Sequence, residues 1–305
     1  MKKTWRVIVT LAVLLSVLLI LYCSLLHEQD HFRFVFMTDI HLQPELNGDL
    51  GFEQAIRHVN KMSPRPAFVI TGGDLIMDAL GVSYGRADSL YRLFEEKAAL
   101  FNMPVFHAIG NHEHFGVYPS SGVMPDHPFY GKKMFEERLG DGKTYHSFTH
   151  GRWHFILLDG IGITPEREYV GHIDSVQIAW LKSDLAATGT KTPVVLVSHI
   201  PLISVAEQIY QGPTTPNLPY LVVVNADEVL DLCRPYNVRL ILQGHLHIVE
   251  EMTWKDLHFI TGGAVCGKWW NGPNHGFDEG FVAVDIAGDD FSWSYESFGW
   301  EAVTP

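Results

Sequence analysis

Five short polar motifs in this sequence combine side chains that bind divalent cations. Each motif holds Asp, Asn or His, and glycine precedes the polar residues in three of them. In chain order the motifs are Asp39-Ile40-His41, Gly73-Asp74, Gly110-Asn111-His112-Glu113, His199 and Gly244-His245-Leu246-His247. Carboxylate, amide and imidazole ligands without cysteine suit Mn, Fe, Zn or Co. Any one such motif arises often by chance, so the hypothesis of a metal centre rests on their combination.

The segments before these motifs are apolar and rich in β-branched or aromatic residues, which predicts strands. Apolar strands that alternate with helical patterns form a buried sheet covered by helices. Ligands bind at the carboxyl ends of such strands, and five of the predicted strands end in a motif, so we expect the motifs to converge. The predicted strands are residues 33–38, 67–71, 104–108, 153–158, 193–198, 238–242, 249–253, 258–260 and 281–286. The predicted helices are residues 52–62, 88–101, 175–187 and 226–233, with Asp88 and Asp174 as N-caps.

The chain of 305 residues is 47% hydrophobic and 19% charged, and it carries 17 histidines. No linker divides residues 31–305, which predicts one α/β domain with a C-terminal part rich in strands. The formal net charge of −13 argues against a nucleic-acid polymer as partner, because proteins that bind such polymers neutralise phosphates with Lys and Arg. Cys233 and Cys266 leave two alternatives open, a disulfide or two buried thiols.

Residues 7–26 carry no charge and consist mostly of Leu, Val and Ile. About 20 such residues span a bilayer as a helix, so we expect residues 1–30 to form a cytoplasmic tip and a transmembrane anchor. Lys2, Lys3 and Arg6 precede this segment, which predicts that the following domain lies on the extracytoplasmic side, close to the membrane.

Two other interpretations of the N-terminal segment fit its residues less well. A cleaved signal peptide has a shorter apolar core and small residues before the cleavage site, and the sequence shows neither. A lipoprotein site at Cys23 is disfavoured by the bulky Tyr22 that precedes it.

Taken together, the five motifs resemble the pattern of the calcineurin-like metallophosphoesterase family over residues 34–247. The resemblance implies a four-layer α/β/β/α sandwich, in which two β-sheets pack together and helices flank them. It also implies a hydrolase that acts on phosphoric mono- or diesters with two divalent metal ions as cofactors. Met77 departs from the family pattern, which often has Asp or Arg three positions after the bridging Asp, and Asp78 comes one position later.

The resemblance also assigns a role to each residue of the motifs. One metal is expected on Asp39, His41 and His247. The other is expected on Asn111, His199 and His245, with Asp74 as the bridge between the two. His112 is expected to be catalytic, with Glu113 orienting it. Two such ions lower the pKa of a bridging water, and the resulting hydroxide attacks phosphorus while His112 protonates the leaving oxygen or binds a phosphoryl oxygen.

Three loops rich in Pro, Gly and aromatic residues lie near the motifs, at residues 116–131, 212–219 and 262–273. Long loops at such positions often carry function. The side chains expected to contact the substrate are Lys268, Trp269, Trp270 and His275. The alternative is that the two tryptophans pack against the C-terminal strands.

The hypothesis of a phosphoesterase admits two narrower substrates, a cyclic nucleotide or a phospholipid. A lipid-linked phosphoester would suit a domain tethered beside a membrane. A function of another class is a binding scaffold that kept the fold and lost catalysis, although every proposed ligand and His112 are present. A structural zinc site is excluded because such sites favour closed, Cys-rich sets of four ligands.

Overall fold

The computed structural model describes residues 31–303, and most of its strands belong to two β-sheets. The strands are β1 (His31–Met37), β2 (Phe68–Gly72), β3 (Val105–Ala108), β4 (His146–His150), β5 (Trp153–Leu158), β6 (Ile161–Ile163), β7 (Tyr169–Gly171), β8 (Val194–Ser198), β9 (Val238–Gln243), β10 (Val249–Trp254), β11 (Leu257–Gly262), β12 (Gly280–Ala287) and β13 (Asp290–Ser297). The helices are α1 (Gly48–Lys61), α2 (Tyr84–Ala98), α3 (Lys133–Arg138), α4 (Ser175–Thr188), α5 (Ala206–Gln211) and α6 (Ala226–Cys233).

The first sheet has the strand order β13-β12-β1-β2-β3, and the second has the order β10-β11-β9-β8-β5-β4. Strands β1, β2 and β3 run parallel to one another, as do β5, β8, β9 and β11. The outer strands β4, β10, β12 and β13 pair antiparallel with their neighbours. Because parallel neighbours end at the same edge, the loops after β1, β2 and β3 emerge together, and so do those after β8 and β9.

Side chains of alternate residues on each central strand enter two different apolar layers. In β1, Phe34 and Phe36 belong to a cluster with residues of the second sheet, such as Phe155, whereas Val35 packs on the opposite face. The rings of Phe34 and Phe155 meet edge to face at 5.3 Å. This period of two is that of a strand buried on both faces. The two sheets therefore pack face to face through an aromatic layer, and the helices cover their outer faces.

The nine predicted strands and four predicted helices are confirmed, with some displaced ends. Asp174 is the N-cap of α4, since its side chain accepts the N–H of Gln177 at 2.8 Å. The prediction of Asp88 as an N-cap is wrong. Helix α2 begins four residues earlier, at Tyr84, and the Asp88 carboxylate pairs with Arg138 instead.

The predicted transmembrane helix at residues 7–26 lies outside the described residues, and so does the cytoplasmic tip. No helix within residues 31–303 has the length and apolar character needed to cross a membrane. The division of the chain at residue 30 stays a prediction. Cys233 and Cys266 are both buried free thiols, so they form no disulfide with each other.

Candidate metal centre

The loops that follow the parallel strands place the predicted ligands in unusual backbone conformations. A left-handed backbone is uncommon for residues other than glycine, and each such residue costs on the order of 1–3 kcal/mol unless its surroundings hold it there. The predicted ligands with positive φ are Asp39 (54°), His41 (43°), Asp74 (51°), His245 (71°) and His247 (53°). Strain concentrated at five candidate ligands indicates that the surrounding structure fixes this conformation for a function.

Main-chain hydrogen bonds between the loops provide that fixation. The N–H of Asp39 donates to the carbonyl of Gly73 at 3.1 Å, and the N–H of His41 donates to the carbonyl of Asp74 at 2.9 Å. These bonds join the loops after β1 and β2. Across the two sheets, the N–H of His245 donates to the Asp39 carboxylate at 2.8 Å. The loops therefore form one rigid platform rather than separate segments.

Close approach of the loops explains two of the glycines in the motifs. A Cβ on Gly110 would lie 2.2 Å from the backbone nitrogen of Asp74. A Cβ on Gly244 would lie 2.0 Å from Oγ1 of Thr38. Both distances are far inside van der Waals contact, so only glycine lets the backbones approach this closely.

Asp74 lies at the middle of the cluster. Its Oδ2 is 3.1 Å from Nε2 of His199, 3.5 Å from Nε2 of His41 and 3.9 Å from Nε2 of His112. Two triads, each with ligand atoms within 4.8 Å of one another, both contain Asp74; one adds His41 and His112, the other His199 and His245. One carboxylate thus belongs to two adjacent groups of potential metal ligands.

Asp39 and His247 extend the first of these groups. The Nε2 atoms of His41 and His247 face each other at 3.0 Å. Oδ1 of Asp39 lies 3.3 Å from Nε2 of His247 and 3.9 Å from Nε2 of His41. All three side chains are buried. Convergence of two imidazole nitrogens and a carboxylate oxygen is the arrangement of ligands around a cation.

Backbone carbonyls fix which imidazole nitrogen carries a proton. A carbonyl oxygen only accepts, so the ring nitrogen that contacts it must donate its N–H, and the other nitrogen of a neutral ring keeps a lone pair for a metal. The donors are Nδ1 of His199 to Gly72 at 2.8 Å, Nε2 of His245 to Tyr220 at 2.9 Å, and Nδ1 of His247 to Gly267 at 2.7 Å. Outer contacts of this kind orient metal-binding histidines.

Several of the remaining polar atoms are buried without a hydrogen bond to any residue in the described part of the chain. They include Oδ1 of Asn111, Nε2 of His199 and Nδ1 of His245. Leaving a buried acceptor unsatisfied costs about 1–3 kcal/mol. Divalent cations would satisfy all three atoms at once, and the donor set of N and O atoms suits Mn, Fe, Zn or Co. The residues present therefore fit a pair of metal ions.

Burial and neighbouring charges shift the pKa values of the side chains in this cluster. Burial opposes ionisation of Asp39, but the neighbouring His247 outweighs it and lowers the pKa of Asp39 to about 2. Burial likewise opposes protonation of His199, yet the Asp74 carboxylate raises the pKa of His199 to about 9. Burial lowers the pKa of His245 to about 4. Against the effect of burial, the neighbouring histidines also hold the pKa of Asp74 well below its ordinary value. Asp39 and Asp74 are thus ionised at neutral pH, as metal ligands must be.

Glu113 does not orient His112, contrary to the prediction from sequence. Its buried carboxylate accepts four backbone N–H groups and makes no hydrogen bond to the His112 ring; the donors are Asp74 (2.9 Å), Leu75 (2.8 Å), Ile76 (3.2 Å) and Gly110 (2.7 Å). Burial, followed by the charge of Asp74, raises the pKa of Glu113 to about 7. Glu113 follows β3, and its side chain reaches the loop after the adjacent strand β2. Glu113 holds the Asp74 loop in place.

His112 is oriented by the backbone of Met77. Nδ1 of His112 donates to the Met77 carbonyl at 2.6 Å, and Nε2 lies 3.9 Å from Oδ2 of Asp74. Nδ1 is also 4.0 Å from the Asp78 carboxylate, which accepts the N–H of Leu80. The His112 side chain is 24% exposed. It is therefore the histidine at this centre that both contacts Asp74 and remains open to an incoming ligand.

Trp270 is not available to a substrate, because its ring packs inside the protein against Gly51 of α1. It is fully buried, and its Nε1–H donates to the carbonyl of His41 at 3.0 Å. Trp269 is 40% exposed, and its ring lies 4.7 Å from that of His247. The two adjacent tryptophans thus differ, because one supports the ligand loop from inside and the other faces the solvent beside the ligands.

The other two predicted substrate residues, His275 and Lys268, have different surroundings. His275 stacks on Tyr210 at 4.3 Å, and both line a cavity of about 190 Å³ that also includes His245. Lys268 is exposed, and its side chain takes part in none of the hydrogen bonds or ion pairs found among residues 31–303.

Two features of the centre were not predicted from the sequence. The thiol of Cys266 forms a further triad with His41 and His247, and its Sγ is 3.8 Å from Nδ1 of His247. Tyr169 and Tyr220 lie beside His245, one through its ring and the other through its backbone carbonyl. Burial, Asp74 and the neighbouring tyrosines raise the pKa of Tyr169 above its ordinary value. Both tyrosines lie in segments without a metal-binding motif, so no local pattern marks them.

A model of the calcineurin-like phosphoesterase family matches residues 32–249. The chain is 23% identical over 248 residues to the 3',5'-cyclic adenosine monophosphate phosphodiesterase CpdA of Haemophilus influenzae, a match that covers 78% of each chain. It is 22% identical over 235 residues to the probable glycerophosphodiester phosphodiesterase GpdQ of Arcobacter nitrofigilis, which covers 77% of this chain and 71% of that protein.

Among solved structures, the chain is similar to a dimetal phosphatase from Danio rerio. The TM-score is 0.64 at 17% identity, and the match covers 88% of this chain and 96% of that one. At this identity the similarity shows a shared fold and nothing narrower.

Proposed function

The chain belongs to the calcineurin-like phosphoesterase family and is a hydrolase that acts on ester bonds, and from this premise we propose that it hydrolyses phosphodiesters at a centre of two divalent cations. The observation that carries the proposal is the position of Asp74. Its carboxylate belongs to both triads of ligand atoms, one with His41 and the other with His199. A shared carboxylate between two adjacent groups is what a two-metal site requires.

The proposed ligands divide into two sets around Asp74. The first set is Asp39, His41 and His247, and the second is Asn111, His199 and His245. When bound, the two cations would supply Lewis acidity, which lowers the pKa of a water molecule and neutralises charge on the phosphoryl group. Burial supports the metal-binding prediction for every proposed ligand except the half-buried His245. Backbone contacts that fix the ring support it for His199, His245 and His247.

His112 is proposed as the residue that transfers or holds a proton at the reacting phosphate. The carbonyl of Met77 binds its Nδ1–H, so Nε2 is the atom that faces the centre. A protonated ring presents Nε2–H to the leaving oxygen or to a phosphoryl oxygen, and a neutral ring presents a lone pair there. Its partial exposure gives the phosphate access to this atom.

A diester is favoured over a monoester by two observations. The named relatives are a cyclic nucleotide phosphodiesterase and a probable glycerophosphodiester phosphodiesterase. In addition, His245 lines a cavity of about 190 Å³, and Tyr220, whose carbonyl accepts the Nε2–H of His245, lines another of about 480 Å³. Two cavities beside one centre give room for the two substituents of a diester. A cyclic nucleotide and a phospholipid are both members of this class.

The location of the enzyme is proposed from sequence alone. The apolar residues 7–26 predict a membrane anchor with the hydrolase on the extracytoplasmic side, and a lipid-linked phosphoester is the substrate that such a location favours. Those residues lie outside the described part of the chain.

The proposal is tested with the purified full chain, stripped by a chelator and reloaded with Mn²⁺, Fe²⁺, Zn²⁺ or Co²⁺. We expect hydrolysis of bis(p-nitrophenyl) phosphate to require a reloaded ion and to exceed that of p-nitrophenyl phosphate. Asp74→Asn is expected to lower turnover roughly 100- to 1,000-fold and to reduce the metal content below two ions per chain. Asp227→Asn is the matched control, since Asp227 is exposed on α6. Near-parent activity of Asp74→Asn would exclude Asp74 as the bridge.

A further inference from the structure

Tyrosines in the wall of the larger cavity contact His245 of the metal centre. Its volume is about 480 Å³, and Tyr118, Tyr169 and Tyr220 contribute to its wall. The carbonyl of Tyr220 accepts the Nε2–H of His245 at 2.9 Å. The ring of Tyr169 stands perpendicular to the imidazole of His245 at 6.0 Å. A phosphate bound at Asp74 would therefore extend one of its substituents into this cavity.

The wall of the cavity is aromatic but offers polar groups that the protein does not use. The rings of Tyr169 and Tyr220 meet edge to face at 6.4 Å. Within residues 31–303, the side-chain hydroxyls of Tyr118, Tyr169 and Tyr220 take part in none of the hydrogen bonds described. Tyrosines with free hydroxyls and ring faces bind groups that combine an apolar surface with a polar or cationic atom.

Charge at the cavity favours a substituent without negative charge. The lining includes Glu166 and Glu168, both exposed, and neither forms an ion pair with any residue that the structure describes. Arg167 is the one basic residue of the lining, and its guanidinium binds backbone carbonyls. Nε of Arg167 donates to the carbonyl of Val117 at 2.8 Å, and Nη2 donates to the carbonyl of Gly116 at 2.6 Å. Two glutamates and one arginine give the lining a net charge of −1, so a second anionic group would meet net repulsion.

We propose that this tyrosine-lined cavity selects the second substituent of the phosphodiester and that its preferred substituent is an alkylammonium group, such as that of choline or ethanolamine. The inference rests on the proposed phosphodiesterase function and names the substrate class. Tyrosine ring faces attract ammonium groups through the ring quadrupole, and the two glutamates add an attractive field. A cavity of 480 Å³ also exceeds what a small amino alcohol needs.

The experiment uses the full, metal-loaded chain and compares its rates on several phosphodiesters that share one leaving group. p-Nitrophenyl phosphorylcholine carries a cationic substituent, and 3,3-dimethylbutyl p-nitrophenyl phosphate is its uncharged isostere. We expect kcat/KM to be roughly tenfold higher for the choline ester, as a partly desolvated cation–π contact implies. A p-nitrophenyl ester with a carboxyalkyl substituent is expected to be the poorest of the three substrates.

Variants connect this preference to the cavity. Glu166→Gln together with Glu168→Gln, and separately Tyr220→Leu, should lower the ratio of choline ester to isostere toward one. Tyr145→Leu is the control, because Tyr145 lines a different groove with Trp180. The double glutamine variant changes only exposed side chains, so its folding is not at risk. The ratio should stay unchanged in Tyr145→Leu and fall both in the double glutamine variant and in Tyr220→Leu.

The outcomes separate this inference from the proposed function. Hydrolysis of bis(p-nitrophenyl) phosphate with a ratio of one or less would overturn the inference and leave the phosphodiesterase intact. A ratio that persists unchanged in both cavity variants would also overturn it. If no diester is hydrolysed under any metal loading, the proposed function fails, and the inference fails with it.

Discussion

The carboxylate of Glu113 accepts the backbone N–H of Asp74 at 2.9 Å, and it does so from a position with no exposure to solvent. The same carboxylate also accepts the N–H of Gly110 at 2.7 Å. One acid thus joins the loop that carries the central carboxylate to the loop that carries Asn111 and His112.

Replacement of Glu113 is expected to weaken the fold and the metal site together. Glu113→Ala leaves four buried N–H groups without an acceptor, which should lower the free energy of unfolding by about 3 kcal/mol or more. Glu113→Gln keeps one acceptor oxygen and should lose less stability while still reducing the metal content. Urea unfolding and metal analysis measure both effects. Glu96→Gln on the exposed face of α2 is the control, and equal stability of Glu113→Ala and that control would contradict the role.

His112→Ala is expected to separate catalysis from metal binding. The proposed proton transfer contributes roughly 100- to 10,000-fold, so turnover of bis(p-nitrophenyl) phosphate should fall within that range. The metal content should stay near that of the parent, because His112 is outside both proposed ligand sets. A variant that loses metal in proportion to activity would show that His112 is a ligand instead.

The adjacent residues Trp269 and Trp270 should give opposite results when each is replaced by alanine. Trp270→Ala removes a fully buried ring and the N–H donated to His41, and it should cost about 3–5 kcal/mol of unfolding free energy. Trp269→Ala removes an exposed ring and should change KM with little change in stability. Chemical denaturation and steady-state kinetics test the pair. Similar losses of stability in both variants would contradict the assignment.

His107 should make the fold sensitive to acid. Its ring contacts Thr71 and Phe94, and burial lowers its pKa to about 4 in the folded chain, from an ordinary value of 6.5. Between these pH values the unfolded state binds more protons, so stability is complete above pH 6.5 and falls as the pH drops to 4. The loss from this residue is up to about 3 kcal/mol.

The acid effect is measured by denaturation of the chelated chain at several pH values. His107→Phe removes the titrating group, so its stability should depend less steeply on pH between 6.5 and 4 than that of the parent. Parallel curves for the parent and the variant would assign the acid sensitivity to other groups.

The parts of the structure that follow local patterns were predictable. Runs of apolar residues identify β1, β2, β8 and β9 because a strand buried on both faces has few alternatives. Convergence of Asp39 and Asp74 follows from the rule that parallel strands of one sheet end at a common edge. His199 follows β8 of the other sheet, so its approach to them depends on how the two sheets pack. Strands β4, β6, β7 and β13 were not predicted. Strands β4 and β13 lie at sheet edges and have many polar or exposed residues, and β6 and β7 have only three residues each.

The parts that depend on distant contacts were not predictable. Glu113 follows His112 in the sequence, yet its carboxylate is directed to backbone N–H groups about 38 residues earlier in the chain. The difference between Trp269 and Trp270 arises because Trp270 packs against Gly51 of α1, which is distant from it in the sequence. Every residue has a backbone carbonyl, so a hydrogen bond to one, such as that of Met77, cannot be predicted from residue type. Local spacing therefore identifies the ligands but not the residues that hold them.

The bond between the His245 N–H and the Asp39 carboxylate crosses 206 positions of the chain and both sheets. Each proposed ligand set is divided in the same way. One part lies before β3 or just after it, and the other part follows β8 or β9. During synthesis on the ribosome, a nascent chain that has not yet exposed His245 holds neither complete set, and the first set also needs His247. Hydrolytic activity should therefore begin only near the end of translation, and prematurely terminated chains are expected to be inert.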